Sequence, residues 1–157
     1  MVQKAIEQDA AVLADLALML WPSHDAAELR EEFAELLKSE EAACFLACEA
    51  GVPVGFAQCQ LRHDYVEGTQ TSPVGYLEGI FVRTEFRHRG LAKQLLGACE
   101  SWAKEKGCME FASDCELGND ASLNFHLSMG FTEANRIVCF TKRCGIRGRN
   151  ERDCFSD

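Results

Sequence analysis

Residues 76–106 change character twice, and that change limits what the chain can fold into. "YLEGIFV" reads as an apolar strand, "RTEFRHRG" carries four basic side chains, and "LAKQLLGACESWAKEK" returns as an amphipathic helix. Leu91, Leu95, Cys99, Trp102 and Ala103 fall on one face of that helix, and Gly107 is a natural left-handed stop. A strand running directly into a long one-sided helix requires a sheet for the helix to cover.

The flanking patterns extend this architecture. Asp9 can cap a helix over roughly residues 10–20 whose stripe is Leu13, Leu16 and Leu20, and Trp21-Pro22 stops it. Asp25 and Glu28 have capping-box spacing before a second helix with Leu29, Phe33, Leu36 and Leu37, ending near Lys38. "ACFLACEAGVPVGFAQCQLRHD" reads as a hairpin punctuated by Gly51 and Pro53, and a polar loop, "YVEGTQTSP", follows. Gly79, inside the next strand, predicts a bulge or a close backbone approach. "CMEFASD" predicts a buried strand ending at Asp114, "NDASLNFHLSMG" a short helix closed by Gly130, and "ANRIVCFTKR" a final alternating strand. The order β, α, α, β, β, β, α, β, α, β predicts an α+β (mixed α/β) domain with a mixed sheet and helices on both faces. Residues 1–143 form that domain; the tail from 144 to 157 has no apolar period and is expected to be flexible.

Composition narrows the function. The chain has 157 residues, the size of one domain, and 47% hydrophobic residues, enough for a packed core. Its net charge of -9 argues against a general nucleic-acid binder and permits a cationic partner. No membrane span or signal peptide is visible, so the expected location is cytoplasmic. The nine cysteines are odd in number and show no C-x-x-C pair, so neither a disulfide framework nor a metal site is expected. Most of them, Cys44, Cys48, Cys59, Cys99, Cys108, Cys115 and Cys139, fall mainly at apolar-pattern positions, where a thiol acts as a small hydrophobe.

Within so acidic a chain, the basic cluster at a strand-to-helix junction has a local meaning. A helix N-terminus exposes unpaired N–H groups and the positive end of its dipole. Gly90 permits close approach, Ala92 adds little bulk, and Arg87 and Arg89 add charge, which together suit a pyrophosphate. A solvated charged loop is the commoner fate of such a run, and the surrounding elements give the pattern its weight.

The junction resembles that of the GNAT superfamily of acetyl-coenzyme A-dependent N-acetyltransferases, whose Arg/Gln-x-x-Gly-x-Gly/Ala motif matches Arg87, Gly90 and Ala92. The downstream half of the signature is matched by Asn119, Ser122, Gly130 and Phe131. "LWPSHD", "SPVGYLEGIFV", "EFASD" and "GFTEANRIVCFTK" are similar to blocks of aminoglycoside 6′-N-acetyltransferases. The resemblance implies a GNAT-type fold with a splayed strand pair at an acetyl-CoA site, no metal, an aminoglycoside substrate, and a homodimer. It implies coenzyme contacts from Ile80, Phe81 and Val82, which would pair with the pantetheine arm. Arg87, His88, Arg89, Gly90, Leu91, Ala92 and Asn119 would hold the rest of the cofactor. Trp21, His24, Tyr65, Glu78, Asp114 and Asn135 would line the substrate pocket. Asn135 stands where relatives often carry a Glu, and Glu133 matches the first Glu of that block.

Acetyl transfer needs a neutral amine, a polarised carbonyl and a protonated leaving thiol. Glu78 is the expected base or water-positioning group, and Asp114 the substrate anchor or alternative base. Read singly, Glu78 is an outward-facing strand residue and Asp114 a turn carboxylate; their place in recognisable blocks favours function. A backbone N–H near Ile80, freed by the bulge, would polarise the carbonyl. His126 stands where many superfamily members place a Tyr acid, so it is a candidate general acid, although packing is the commoner role for a His on a short helix. Trp21 and Tyr65 could instead be core aromatics, although Trp21, in a turn directly before Pro22, is less core-like than Trp102 on its helical stripe. A GNAT enzyme for another amine, such as a polyamine or protein Lys, and a non-catalytic acetyl-CoA-binding module are the competing readings.

Overall fold

The computed structural model describes residues 1–145; the expected tail lies almost entirely outside the described residues. One five-stranded sheet has the order β1 (Val2–Lys4), β2 (Ala42–Glu49), β3 (Val52–Arg62), β4 (Val74–Val82) and β5 (Phe111–Ala112). The first three pairings are antiparallel, and β4 with β5 is parallel. The chain is therefore mixed, as its element order predicts.

Helices cover both faces. On one, α1 (Ala10–Leu20) and α2 (Ala26–Leu36) bury Leu13, Leu16, Leu29 and Phe33 against Cys44, Leu46 and Phe56. On the other, α3 (Leu91–Glu105) buries the predicted face of Leu91, Leu95, Cys99, Trp102 and Ala103 against Ala43, Val54, Ala57 and Cys59. Burying one Leu or Phe contributes about 1.5–3 kcal/mol, so these two stripes dominate the packing. Asp25 caps α2 by accepting from the N–H groups of Ala27 and Glu28 at 2.9 and 3.0 Å. Asp9, expected to cap α1, instead accepts from Ile6 N–H at 2.8 Å and fixes the turn before the helix.

Two expectations need correction. The strand predicted through "CMEFASD" is only two residues long and half-buried, because it is an edge strand with β4 as its one partner. The final strand predicted in "ANRIVCFTKR" does not form: residues 131–144 have no ladder partner, and Ile137, Val138 and Phe140 are 62%, 76% and 88% exposed. Their alternation is real, but a strand needs an edge to pair with. Of the cysteines, Cys44, Cys59, Cys99 and Cys108 are buried, Cys48 is half-buried, and Cys115 and Cys139 are exposed; burial pushes the Cys44 and Cys99 thiols well up, with a hydrogen bond to Cys59 the larger cause for Cys99. Among the described residues no helix is long and apolar enough to cross a membrane, and no His, Cys, Asp or Glu cluster could hold a metal.

Candidate active site

The site lies where β4 and β5 part. They are paired only at Gly75 with Phe111 and Tyr76 with Ala112, after which β4 continues without a β5 partner. This is the splayed pair expected from the resemblance. On its other side, β4 pairs Gly79 with Gln58 and then Leu77 with Cys59, leaving Glu78 as the extra residue of a bulge. The bulge re-aims Glu78 and is held from beyond by Trp21. A Cβ on Gly79 would lie 2.7 Å from two atoms of the Trp21 ring, so only glycine lets the indole close on the strand. Trp21 also meets Phe56 edge-on at 6.1 Å between centroids, and His24 lies 5.8 Å from it.

Glu78 is half-buried and ion-paired. Arg62 Nε and Nη2 both donate to its Oε1, at 3.2 and 2.8 Å. The Arg62 guanidinium carbon lies 3.4 Å from the centroid of the Tyr76 ring. Across the parting, the buried Tyr76 hydroxyl donates to Asp114 Oδ2. Burial and the neighbouring Asp114 carboxylate raise the Tyr76 phenol well above its ordinary value, so it stays a donor. Glu78 and Asp114 thus each have one oxygen engaged, and Oε2 and Oδ1 have no hydrogen-bond partner among the described residues.

Behind Asp114, Ser113 Oγ lies 2.8 Å from His126 Nε2. His126 Nδ1 lies 2.7 Å from the Ser122 carbonyl, which can only accept, so Nδ1 carries a proton. In the neutral ring, Nε2 is then an acceptor for Ser113. The His126 ring also packs against Phe131 at 5.1 Å between centroids. His126 is thus packed, and it reaches Ser113, the neighbour of Asp114, by one hydrogen bond. His126 and Ser122 belong to α4 (Asp120–Ser128), which Asn119 caps by accepting from Ser122 N–H at 3.1 Å.

The loop between β3 and β4 closes another side. Glu110 Oε1 accepts from the Gln70 and Thr71 N–H groups and the Thr71 hydroxyl, at 2.9, 2.9 and 2.6 Å, and these bonds lower the Glu110 carboxyl below its usual range. Val66 packs with Val74 and Tyr76, which seats the loop beside the acidic network. Tyr65 is 77% exposed on this loop and is no core aromatic; it lines an open depression with His63, Asp64, Thr69 and Ser72. Asn135 Nδ2 donates to Glu67 Oε1 at 2.9 Å, tying residues 132–145 to the same loop, while Glu133 is paired with Arg136, which lowers its carboxyl.

At the far end of β4 the chain turns into α3. His88 and Gly90 both have left-handed backbones, at φ 62° and 80°. No side chain caps the N-terminus of α3, and the space beside Gly90 is open. Arg87 Nε donates to the Val82 carbonyl at 2.8 Å, and Arg89 Nη2 to the Glu85 carbonyl at 3.3 Å, so both guanidiniums are anchored beside the uncapped amides. Such a terminus, with cations at its rim, suits an anionic phosphate group.

This geometry has known counterparts. The sequence model of the acetyltransferase (GNAT) family matches residues 13–131. The chain belongs to that family. Among curated GNAT relatives, the aminoglycoside N(6′)-acetyltransferase type 1 of Salmonella typhimurium is 46% identical over 130 residues, covering 82% of this chain and 89% of that protein. The enzyme of the same name from Stenotrophomonas maltophilia is 44% identical over 140 residues, covering 88% and 90%. A solved structure of AAC(6′)-Iy, in complex with the bisubstrate analog CoA-S-monomethyl-acetylneamine, superposes with a TM-score of 0.88 at 40% identity, covering 92% of this chain and 98% of that one.

The sequence reading named Glu78, Asp114, Trp21 and His24 as pocket residues. The structure puts Glu78 and Asp114 on either side of the strand parting, linked through Arg62 and Tyr76, with Trp21 against Gly79 and His24 beside Trp21. The sequence reading missed Arg62, Tyr76 and Ser113. Tyr76 stood inside a recognised block but read as an apolar strand residue, and Arg62 as the polar end of a hairpin strand.

Proposed function

We propose that this protein transfers an acetyl group from acetyl-CoA to the 6′-amine of aminoglycosides, and so protects a cell from those antibiotics. The observation that carries the reading is likeness over four-fifths of the chain to enzymes named for that reaction. The site chemistry agrees. Aminoglycosides are polycations, and two carboxylates with free oxygens stand at the strand parting, with the Trp21 indole closing on Gly79 next to Glu78.

The residues fit acetyl-CoA as well. The uncapped amides from Gly90 to Ala92, with Arg87, His88 and Arg89 around them, would hold its diphosphate, and the unpaired edge of β4 at Ile80, Phe81 and Val82 would run beside its pantetheine arm. Asn119 uses its oxygen to cap α4 and keeps its side-chain amide for the cofactor. The bound cosubstrate supplies a thioester carbonyl as electrophile. Asp114 Oδ1 anchors the substrate ammonium, and Glu78 Oε2 takes the amine proton, directly or through water, as the C–N bond forms. A backbone N–H near Ile80 polarises the carbonyl. The leaving thiolate would need a proton, and His126, whose Nε2 lies 2.8 Å from Ser113 Oγ, is the candidate acid that would supply it. Tyr65, His24 and Asn135 complete the aminoglycoside wall. The reaction draws on acetyl-CoA, which supports a cytoplasmic location.

The protein acts as a homodimer in this reading. Ile137, Val138 and Phe140 alternate in an exposed segment, and the outer edge of β5 has no strand partner among the described residues. A second copy would satisfy both by strand addition. Phe140→Asp should convert a dimer to a monomer in sedimentation; a wild-type monomer at assay concentrations would remove the dimer.

Coenzyme A thiol release, followed with matched aminoglycosides bearing a 6′-amine or a 6′-hydroxyl, tests the reaction itself. Turnover is expected only with the amine, and equal rates with both would overturn the regiochemistry.

A further inference from the structure

Arg62 ends β3, and its guanidinium is held by Glu78 and the Tyr76 ring. It bonds Glu78 Oε1 with two nitrogens, at 3.2 and 2.8 Å, and its central carbon sits over the Tyr76 ring at 3.4 Å from the centroid. Tyr76 in turn donates to Asp114 Oδ2. One cation therefore touches one carboxylate directly and the hydrogen-bond donor of the other.

Two carboxylates beside each other repel and would turn toward water in different rotamers. A planar guanidinium limits both motions, because its fork fixes Glu78 while its face fixes the phenol. It also leaves each carboxylate one open oxygen, which defines where an amine can sit. We propose that Arg62 is the positioning residue of the acceptor site, orienting Glu78 by hydrogen bonds and Asp114 through Tyr76. The inference rests on the reading of Glu78 and Asp114 as the acceptor carboxylates.

The charges give this role a distinctive signature. Arg62, Glu78 and Asp114 sum to one negative charge, and the protonated phenol adds none. Removing Arg62 makes the site more negative, which strengthens attraction for a polycation while its carboxylates lose their orientation. Arg62→Ala should therefore lower kcat for kanamycin about 30-fold, since small misplacements of reacting groups cost on the order of 100-fold. KM for kanamycin should stay level or fall, and KM for acetyl-CoA should not move. Arg62→Lys can meet Glu78 with one bond but cannot stack on Tyr76, so its kcat should lie between wild type and Ala. Lys also carries the test if the Ala variant does not fold. In a Glu78→Gln background, Arg62→Ala should cost less than about fivefold, because residues acting as a unit are non-additive.

A raised kanamycin KM with kcat unchanged, or the same loss in both backgrounds, would overturn the positioning role while leaving Glu78 and Asp114 in place. Wild-type turnover from Glu78→Gln would overturn the acceptor-site reading, and Arg62's role with it.

Discussion

The two ends of β4 are built from different materials. At its start, where β5 leaves, the site is a network of side chains: Arg62, Tyr76, Glu78 and Asp114 hold one another across three strands or strand ends. At its end, where α3 begins, the useful groups are backbone amides, and the side chains around them are exposed and anchored to carbonyls. A backbone site depends on conformation and tolerates side-chain change. A side-chain site depends on identity. The contrast teaches where substitutions should be catalytic and where they should act on binding alone.

The largest effect is expected at the side-chain end. Glu78→Gln removes the open oxygen that takes the amine proton in the proposed mechanism, and general-base loss costs roughly 100- to 10,000-fold in turnover. Asp114→Asn should cost less, since the amide can still accept from Tyr76 but no longer offers charge to an ammonium. Neither should change KM for acetyl-CoA, because the α3 terminus is untouched. Steady-state kinetics with both substrates varied reads this directly, and near-wild-type turnover in both variants would erase the distinction between the two ends.

At the backbone end the informative residue is Gly90. A side chain there meets nothing within 4 Å, so packing is not the obstacle; the left-handed φ of 80° is. That conformation costs roughly 1–2 kcal/mol for a residue with a Cβ. Gly90→Val should raise KM for acetyl-CoA about 10- to 30-fold with kcat at saturation nearly unchanged, each 1.4 kcal/mol being about tenfold. Gly90→Asn sharpens the test, since Asn tolerates the left-handed region yet still fills the open space. It should restore the melting temperature and the conformational part of the KM, leaving the part due to the side chain filling the ligand's space. A fully restored KM would mean that conformation alone matters and that no ligand approaches there.

The same contrast explains what could be read from the sequence. Local features were legible: the stripes of α1, α2 and α3, the β2–β3 hairpin, and the Gly90 junction all follow from residues close together in the chain. Glu78 and Asp114 could be singled out as candidates because they sit in blocks that resemble a family. The network joining them could not, because Arg62 reaches Glu78 across 16 residues and Tyr76 reaches Asp114 across 38. No periodicity encodes such a pair. The missing last strand fails for a related reason: alternation at Ile137, Val138 and Phe140 says which side chains share a face, but not which edge accepts them.

The smallest effect compares two glycines on one strand. Both approach other groups closely, but on different business. A Cβ at Gly75 would come within 2.6 Å of Ala103 on α3 and of the Phe111 ring on β5, so Gly75→Ala presses on packing that holds the fold. A Cβ at Gly79 would meet only the outer Trp21 ring at 2.7 Å and, more loosely, Leu20. The indole can tilt, and tilting would move the wall proposed for the aminoglycoside pocket. Gly79→Ala should therefore raise the aminoglycoside KM about three- to tenfold, with a smaller change in melting temperature than Gly75→Ala, where overpacking costs roughly 1–3 kcal/mol. If Gly79→Ala instead lowered stability as much as Gly75→Ala and left KM alone, Trp21 would be a core residue, and the acceptor site would lose the aromatic side that the strand bulge was shaped to hold.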